Sequence, residues 1–287
     1  MTAQIVHGMP EADYHDGHRS SLSHTAAKRL LMSAGPARFQ AYLEAPRVAK
    51  PEFDLGSAAH ALLLGVGSMP VDMGPDDWRS KEMRERVQIV RDAGEIPLKT
   101  ADYRAVEAMA EAAKAHPLAA ELLADGRPEV SLFATDPETG VVMRGRIDWL
   151  TEHVGVDYKT TTEGGADPAT FAAHAVRYGY DLQAAWYLHL AELCGLDLQS
   201  WAWIVQEKTA PYLASLLTAS EDMLQLGRQK MRRALRLYAD CMASGEWPGY
   251  ETAIEITPPA WALRDLELDD QLETQLTELE TAWRKTA

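Results

Sequence analysis

Three short apolar segments with period-two alternation, joined by minimal polar breaks, constrain this chain more than any other feature. They read EVSLFATD at 129–136, VVMRGRIDWLT at 141–151 and VGVDYKT at 154–160. Between the first two stands PETG, and between the last two only Glu152-His153. Alternation at this spacing predicts strands, and connections this short predict antiparallel neighbours. Two more segments, SWAWIVQEK and YLASLLT, predict a further strand pair around Ala210-Pro211, with Trp201 and Trp203 on one face. Between the two groups lies a polar loop, TTEGGADP, and then a long amphipathic pattern from Ala169 to Leu193, with an interruption near Gly179.

Outside this region helical signals dominate. Ser23 is a candidate N-cap for a helix stopped near Gly35-Pro36. Residues 54–65 combine small residues with a leucine run and predict a tightly packed helix, and residues 72–95 predict short exposed helices. The Ala-rich stretch 100–124 has strong helix propensity and ends before Gly126-Arg127-Pro128. Ser220 opens a second long helix, with acids in its first turn and Gly245 beyond its end. Residues 1–20 read as loop, with Gly8, Pro10 and Gly17. The expected class is α/β, a small mixed sheet flanked by helices. One domain is expected over 1–287: a mostly helical part to 125, a sheet and helix over 126–215, and C-terminal helices over 216–287.

Composition narrows the function classes. With 46% hydrophobic and 25% charged residues the chain can bury a substantial core. No apolar run approaches the roughly 20 residues a membrane crossing needs, so no membrane association is expected. The N-terminus lacks the basic-then-apolar layout of a secretory leader. Cys194 and Cys241 are too few for a four-cysteine metal site and read as reduced thiols in a cytoplasmic protein. A net charge of −15 sits awkwardly with nucleic-acid binding. The charge is uneven, however: Glu251 to Ala287 holds nine acidic and three basic residues. Carboxylates gathered around a divalent ion also count as negative until the ion offsets them. Any DNA would then be held by a local basic channel.

The chemistry centres on Asp148 and on Asp157-Tyr158-Lys159. Asp157 and Lys159 share one face of their strand, Tyr158 takes the other, and the short turn brings Asp148 beside Asp157. An isolated Asp-X-Lys is most often a surface ion pair. Here both acids interrupt apolar strands, where an unpaired charge is costly and a shared cation explains the pair better. Oxygen ligands with open water positions suit Mg²⁺ or Mn²⁺, which can polarise a phosphate and acidify a bound water, with Lys159 orienting that water or stabilising developing charge. His60, among Gly56-Ser57-Ala58-Ala59, is either a core histidine or a third ligand. Glu129 is either a strand-edge acid or a metal ligand through water. Gln183 and Tyr187 share a helix face, which either packs in the core or reaches a phosphate and stacks on DNA. Lys230, Arg232, Arg233 and Arg236 read as a solvated, dipole-complementing face rather than a DNA contact.

GSAAH at 56–60, Glu129, RGRID at 144–148, VDYKTT at 156–161 and YDLQAAWY at 180–187 together resemble the RecE-like exonucleases. That family, also called exodeoxyribonuclease VIII, groups with RecB-type and λ-exonuclease-like PD-(D/E)XK nucleases. Flanking segments agree: SLSHTAAKRLL at 21–31, VQEKTAPY at 205–212, GEWPGY at 245–250 and PPAW at 258–261. The resemblance implies a restriction-endonuclease-like core. It implies metal binding by His60, Asp148, Asp157 and the Tyr158 carbonyl, catalysis by Lys159, and support from Glu129 and Gln183. It implies that Ser23, Thr25 and Lys28 meet a terminal phosphate and that Arg144, Arg146 and Tyr187 contact DNA. It also implies digestion of linear double-stranded DNA from 5′ ends to leave 3′ tails, a ring-shaped homo-oligomer around the DNA, and a RecT-like annealing partner. Thr25 stands where many relatives have serine, and the missing cysteine cluster separates the chain from iron–sulfur relatives. Two other readings compete: a non-catalytic DNA-binding or assembly protein on the same fold, and an unrelated acid–base enzyme. Intact Asp148, Asp157 and Lys159 speak against the first; the absence of a phosphate-binding glycine loop or GxSxG speaks against the second.

Overall fold

The computed structural model describes residues 3–16, 20–45, 55–74, 78–251 and 253–286. Gly17 and Asp54, which figure in the predicted N-terminal loop and the 54–65 helix, lie outside them. Two compact units divide the chain, one running to Gly249 and the other from Tyr250. The second contains a single long helix, Ala260–Thr286.

In the first unit the elements run β1 (Gln4–Val6), α1 (Glu11–Asp16), β2 (Leu22–Ser23), α2 (His24–Leu30), α3 (Gly35–Glu44), α4 (Leu55–Leu64), β3 (Pro70–Asp72), α5 (Lys81–Asp92), β4 (Ile96–Leu98), α6 (Thr100–Ala115), α7 (Pro117–Leu123), β5 (Arg127–Thr135), β6 (Val142–Leu150), β7 (Val154–Thr161), α8 (Pro168–Tyr178), α9 (Tyr180–Leu193), β8 (Ser200–Glu207), β9 (Ala214–Thr218) and α10 (Glu221–Ser244). The sheet order is β1-β5-β6-β7-β8-β9, with β2 alongside β6. The predicted meander β5-β6-β7 is antiparallel and β8-β9 is antiparallel, while β7 and β8 are parallel. Parallel neighbours need a crossover, and α8 with α9 supplies it. Gly179 separates these helices in the left-handed conformation, at the predicted interruption.

Side chains of period two feed two cores, one on each sheet face. Val130, Leu132, Met143, Trp201, Trp203 and Val205 pack with α2, α3, α9 and α10 residues. Val156, Tyr158 and Ile204 pack with α4 and α6 residues on the other side. The result is helices, sheet, helices: a mixed α/β fold. Among the described residues, no helix is long and apolar enough to cross a membrane.

The turn between β5 and β6 is locked from behind. Asp136 is fully buried and accepts from the Thr139 N–H (3.0 Å), the Thr139 hydroxyl (2.7 Å) and Arg232 (2.6 Å), with His189 Nε2 at 3.1 Å. Burial pushes this carboxyl up, but the bonds from Thr139, Arg232 and His189 outweigh it and hold it at about 2. The hairpin is thereby tied to α9 and α10. Further along, the Trp186 indole N–H donates to the Arg144 carbonyl at 3.0 Å, joining α9 to β6.

Some predicted boundaries move. Gly35-Pro36 begins α3 instead of stopping α2, because proline in a first turn gives up an N–H with no helical partner. The stretch 100–124 breaks at His116, whose ring accepts from the Ala119 N–H ahead of Pro117. Residues 4–6 are an edge strand on β5, and 70–72 pairs with 96–98 in a small parallel sheet. Three-residue strands are set by their partners, not by their own pattern.

Candidate metal centre

Strand register alone puts three acids in one row. Pro128 pairs with Trp149 and Val130 with Ile147, so Glu129 stands opposite Asp148. Trp149 pairs with Val156, which continues the row to Asp157. The ladder opens at this row. On that side β6 pairs with β2 through Met143 and Arg144 and with β7 only through Trp149 and Leu150. The Tyr158 N–H donates instead to the Asp148 carboxylate, at 2.9 Å. Beyond that point β7 follows β8, so a carboxylate stands where backbone pairing would otherwise close the sheet.

Glu129 is left-handed, with φ of 52°. For a residue with a Cβ this costs roughly 1–2 kcal/mol, and such strain gathers at functional sites. A strand glycine is ordinarily less stable than alanine. At this position the order should reverse: Glu129→Gly should have a urea midpoint at or above that of Glu129→Ala. An alanine variant that is clearly the more stable would show that the backbone relaxes out of the left-handed region.

From α4, His60 completes the group. Its Nε2 lies 3.5 Å from both Glu129 Oε1 and Asp148 Oδ2. Among the described residues, His60, Glu129 and Asp148 form the one cluster of at least three possible ligands, with donor atoms within 4.8 Å of one another. Burial alone would lower the His60 pKa. The Asp148 hydrogen bond and the charges of Asp148, Glu129 and Asp157 outweigh it and raise the pKa. Burial, and then Asp148, pushes the Glu129 carboxyl up. Asp157 is 2% exposed, and burial raises its carboxyl to about 6 against the opposing pull of Lys159. An excess of half-desolvated negative charge around one imidazole is what a small divalent cation relieves, and the donors are all hard oxygen or imidazole nitrogen.

Lys159 Nζ lies 2.5 Å from Asp157 Oδ2, and the Gln183 amide donates to Asp157 Oδ1 at 2.7 Å. Asp157 is thus held between the sheet and α9. Burial would lower the Lys159 pKa, but the Asp157 and Asp148 charges raise it, keeping the ammonium charged.

The remaining sequence-predicted residues are placed as follows. Ser23 caps α2, accepting from the Ala26 N–H at 3.3 Å. Thr25 is exposed, its hydroxyl 3.1 Å from His24 Nε2, and Lys28 donates to the Tyr178 carbonyl at 2.6 Å. Arg144 is 4% exposed and donates to the Ser21 carbonyl and hydroxyl, so its side chain supports β2 and is turned from solvent. Arg146 is committed to Glu129 (3.2 Å), Ser131 (3.0 Å) and the Met9 carbonyl (2.9 Å), with Tyr14 beneath it. Tyr187 is 4% exposed and covers Gly145, where an added Cβ would stand 2.4 Å from its ring. The predicted DNA contacts by Arg144 and by stacking on Tyr187 therefore do not fit these side chains: both are packed inside.

Two site residues had no sequence-based expectation. His24 packs edge-on against Tyr187, and burial, then the Lys159 charge, lowers its pKa to about 3, so it is neutral. The Tyr180 ring stands 4.9 Å from Lys159 Nζ. Its signal was available, since Tyr180, Gln183 and Tyr187 fall on one helical stripe. The centre opens into a cleft of about 1620 Å³ whose lining includes His7, His15, Arg91, Arg127, Arg146 and Lys159.

A crystal structure of a "Putative exonuclease" from Eubacterium rectale superposes with a TM-score of 0.56 at 12% identity, covering 90% of this chain and 98% of that one, and shows a shared fold. SSO0001, also 12% identical, covers 78% of this chain and 87% of its own with a TM-score of 0.29, too low to mark a common fold. No curated protein matches the sequence. Residues 23–257 match the family described as "PDDEXK-like domain of unknown function (DUF3799)", and the chain belongs to that family.

Proposed function

We propose that this protein is a Mg²⁺-dependent exodeoxyribonuclease that degrades linear double-stranded DNA, 5′ to 3′, leaving 3′ single-stranded tails for recombination. The observation that carries the reading is the convergence of His60, Glu129 and Asp148 within 4.8 Å, beside the Asp157–Lys159 pair. Membership of a PDDEXK-like family supports nuclease chemistry. The likeness of the ordered motifs to RecE-like enzymes supports the exonuclease mode and its direction.

In this reading His60, Asp148 and Asp157 hold the ion, with the Tyr158 carbonyl beside them, and Glu129 acts through the same cluster. Mg²⁺, with Mn²⁺ as a substitute, supplies a Lewis acid for the phosphate and a more acidic bound water. Lys159, kept charged by two carboxylates, orients the attacking water and faces the charge that develops on the phosphate. Gln183 and Tyr180 hold Asp157 and Lys159 in place from α9. Ser23, Thr25 and Lys28 would meet a terminal phosphate, as the resemblance implies, with Ser23 also capping α2 and Lys28 also holding the Tyr178 carbonyl. Arg91, Arg127, Arg146 and Lys159 line the cleft together with Glu11, Asp92, Glu95 and Glu129, so in this reading bound divalent ions supply the local positive excess that a chain of net charge −15 needs to meet DNA. A ring of identical subunits and a RecT-like annealing partner complete the proposal.

Incubation with linear and covalently closed duplex DNA, with Mg²⁺ or with EDTA, tests it. Loss of linear DNA alone, in Mg²⁺ alone, is expected, and end-labelled substrates report the direction. Cutting of closed circles would make the enzyme an endonuclease, and binding without cutting under Mg²⁺ or Mn²⁺ would put a non-catalytic DNA-binding protein in its place.

A further inference from the structure

An aromatic path leads from the lysine of the centre to the surface. Tyr180, next to Lys159, stacks on buried Phe171 with centroids 5.9 Å apart and planes 23° apart. The Tyr178 centroid is 6.1 Å from that of Tyr180, and the His174 ring is 5.6 Å from that of Tyr178. The inner end is anchored in the core, whereas Tyr178 is 45% exposed. Two cations attend it: Lys28 Nζ at 6.0 Å and the Arg177 guanidinium at 5.9 Å from its centroid. Both distances are at the outer limit of cation–π contact, so neither group covers the ring closely. The backbone is fixed as well, because Lys28 donates to the Tyr178 carbonyl at the end of α8, where left-handed Gly179 turns the chain into α9.

A lone exposed tyrosine is ordinary. A tyrosine with a pinned backbone, two flanking cations and a ring-to-ring link to Lys159 has the components of single-strand binding sites: an aromatic face for a base and cations for the adjoining phosphates. Steps of 4.9 Å and 6.1 Å bound the Lys159–Tyr178 ring distance at 11.0 Å. A stacked strand advances about 3.4 Å per nucleotide and an unpaired one further, so that distance spans at most about three nucleotides. We propose that Tyr178 is a stacking platform for an unpaired DNA base within about three nucleotides of the reacting phosphate, with Lys28 and Arg177 meeting the phosphates beside it. The inference rests on the nuclease reading and adds single-stranded DNA to what that site recognises.

Wild type, Tyr178→Phe and Tyr178→Ala are titrated in EDTA into labelled duplexes that are blunt or carry a four-nucleotide 5′ or 3′ overhang. Stacking on a protein ring predicts about a 10-fold higher Kd for Tyr178→Ala on one of the overhangs, Tyr178→Phe within about two-fold of wild type, and little change on blunt duplex. Making that overhang abasic should erase the difference between wild type and Tyr178→Ala. Equal affinities of wild type and Tyr178→Ala for both overhangs, a phenylalanine variant as weak as alanine, or a deficit that persists on abasic DNA would each overturn the platform. Cleavage of linear DNA by wild type is measured alongside. Wild type that cuts while Tyr178→Ala binds normally removes the platform alone; wild type that neither binds nor cuts removes the nuclease reading and the platform together.

Discussion

Asp157→Ala should lower Mg²⁺-dependent degradation of linear duplex DNA by at least about 10³-fold, and Lys159→Ala by about 10²- to 10³-fold. The two losses have different causes, and a thermal-melt experiment separates them. Asp157 shares its row with Asp148 and Glu129, and in the proposed reading it is a ligand, so its removal would weaken binding of the ion. Binding to the folded state alone raises its stability, so Mg²⁺ should raise the melting temperature of wild type and of Lys159→Ala, and fail to do so for Asp157→Ala. The pH dependence of the metal-free protein has a definite sign. Burial raises the folded pKa of Asp157 to about 6 from an ordinary 3.8, so between those values the folded state holds more protons than the unfolded one. Stability from this group therefore falls as pH rises through that window. In EDTA, Asp157→Asn should gain on wild type in melting temperature between pH 4 and pH 7. Wild-type activity in Asp157→Ala would end the assignment of this row as the metal centre.

The legible part of this fold is the part written in period two. Val130, Leu132, Val156, Tyr158, Trp201 and Trp203 are placed by alternation, and the two-residue break at Glu152-His153 sets the hairpin that brings Asp148 to Asp157. The same register puts Glu129 in the row, so most of the acidic centre follows from strand pairing. His60 does not. It stands 88 residues before Asp148, and only the packing of α4 on its own sheet face delivers it. What alternation cannot express is which polar groups the core consumes. Arg144 and Tyr187 look like a charge and a ring available for DNA, yet Ser21 takes the first and the bare Gly145 backbone accepts the second. Tyr178 looks like an ordinary helix end and is exposed beside the centre. Whether a polar residue supports the scaffold or serves the site depends on which helix lands over it, and that is long-range information.

Gly227→Ala tests that landing, and its effect should run against helix propensity. In an exposed helix interior, glycine to alanine gains about 1 kcal/mol. At Gly227 a Cβ would stand 2.0 Å from the Asp181 carbonyl oxygen, 2.6 Å from its carbon and 2.9 Å from the Ala185 Cβ. All three belong to α9 backbone or to a methyl that cannot rotate away, so the two helices must separate. Overpacking of this kind costs about 3 kcal/mol, outweighing the propensity gain. Separation also strains the contact between Lys230 and Asp181, 2.5 Å long with the carboxylate fully buried, and a buried charge without its partner adds to the loss. Gln183 lies two residues after Asp181 on the same helix and holds Asp157 at 2.7 Å. The variant should therefore show a lower urea midpoint and, where it is still folded, reduced cleavage of linear DNA without substitution of His60, Glu129 or Asp148. A Gly227→Ala protein as stable as wild type would mean that α9 and α10 are not in backbone contact. Gln183 would then owe its position to the sheet alone.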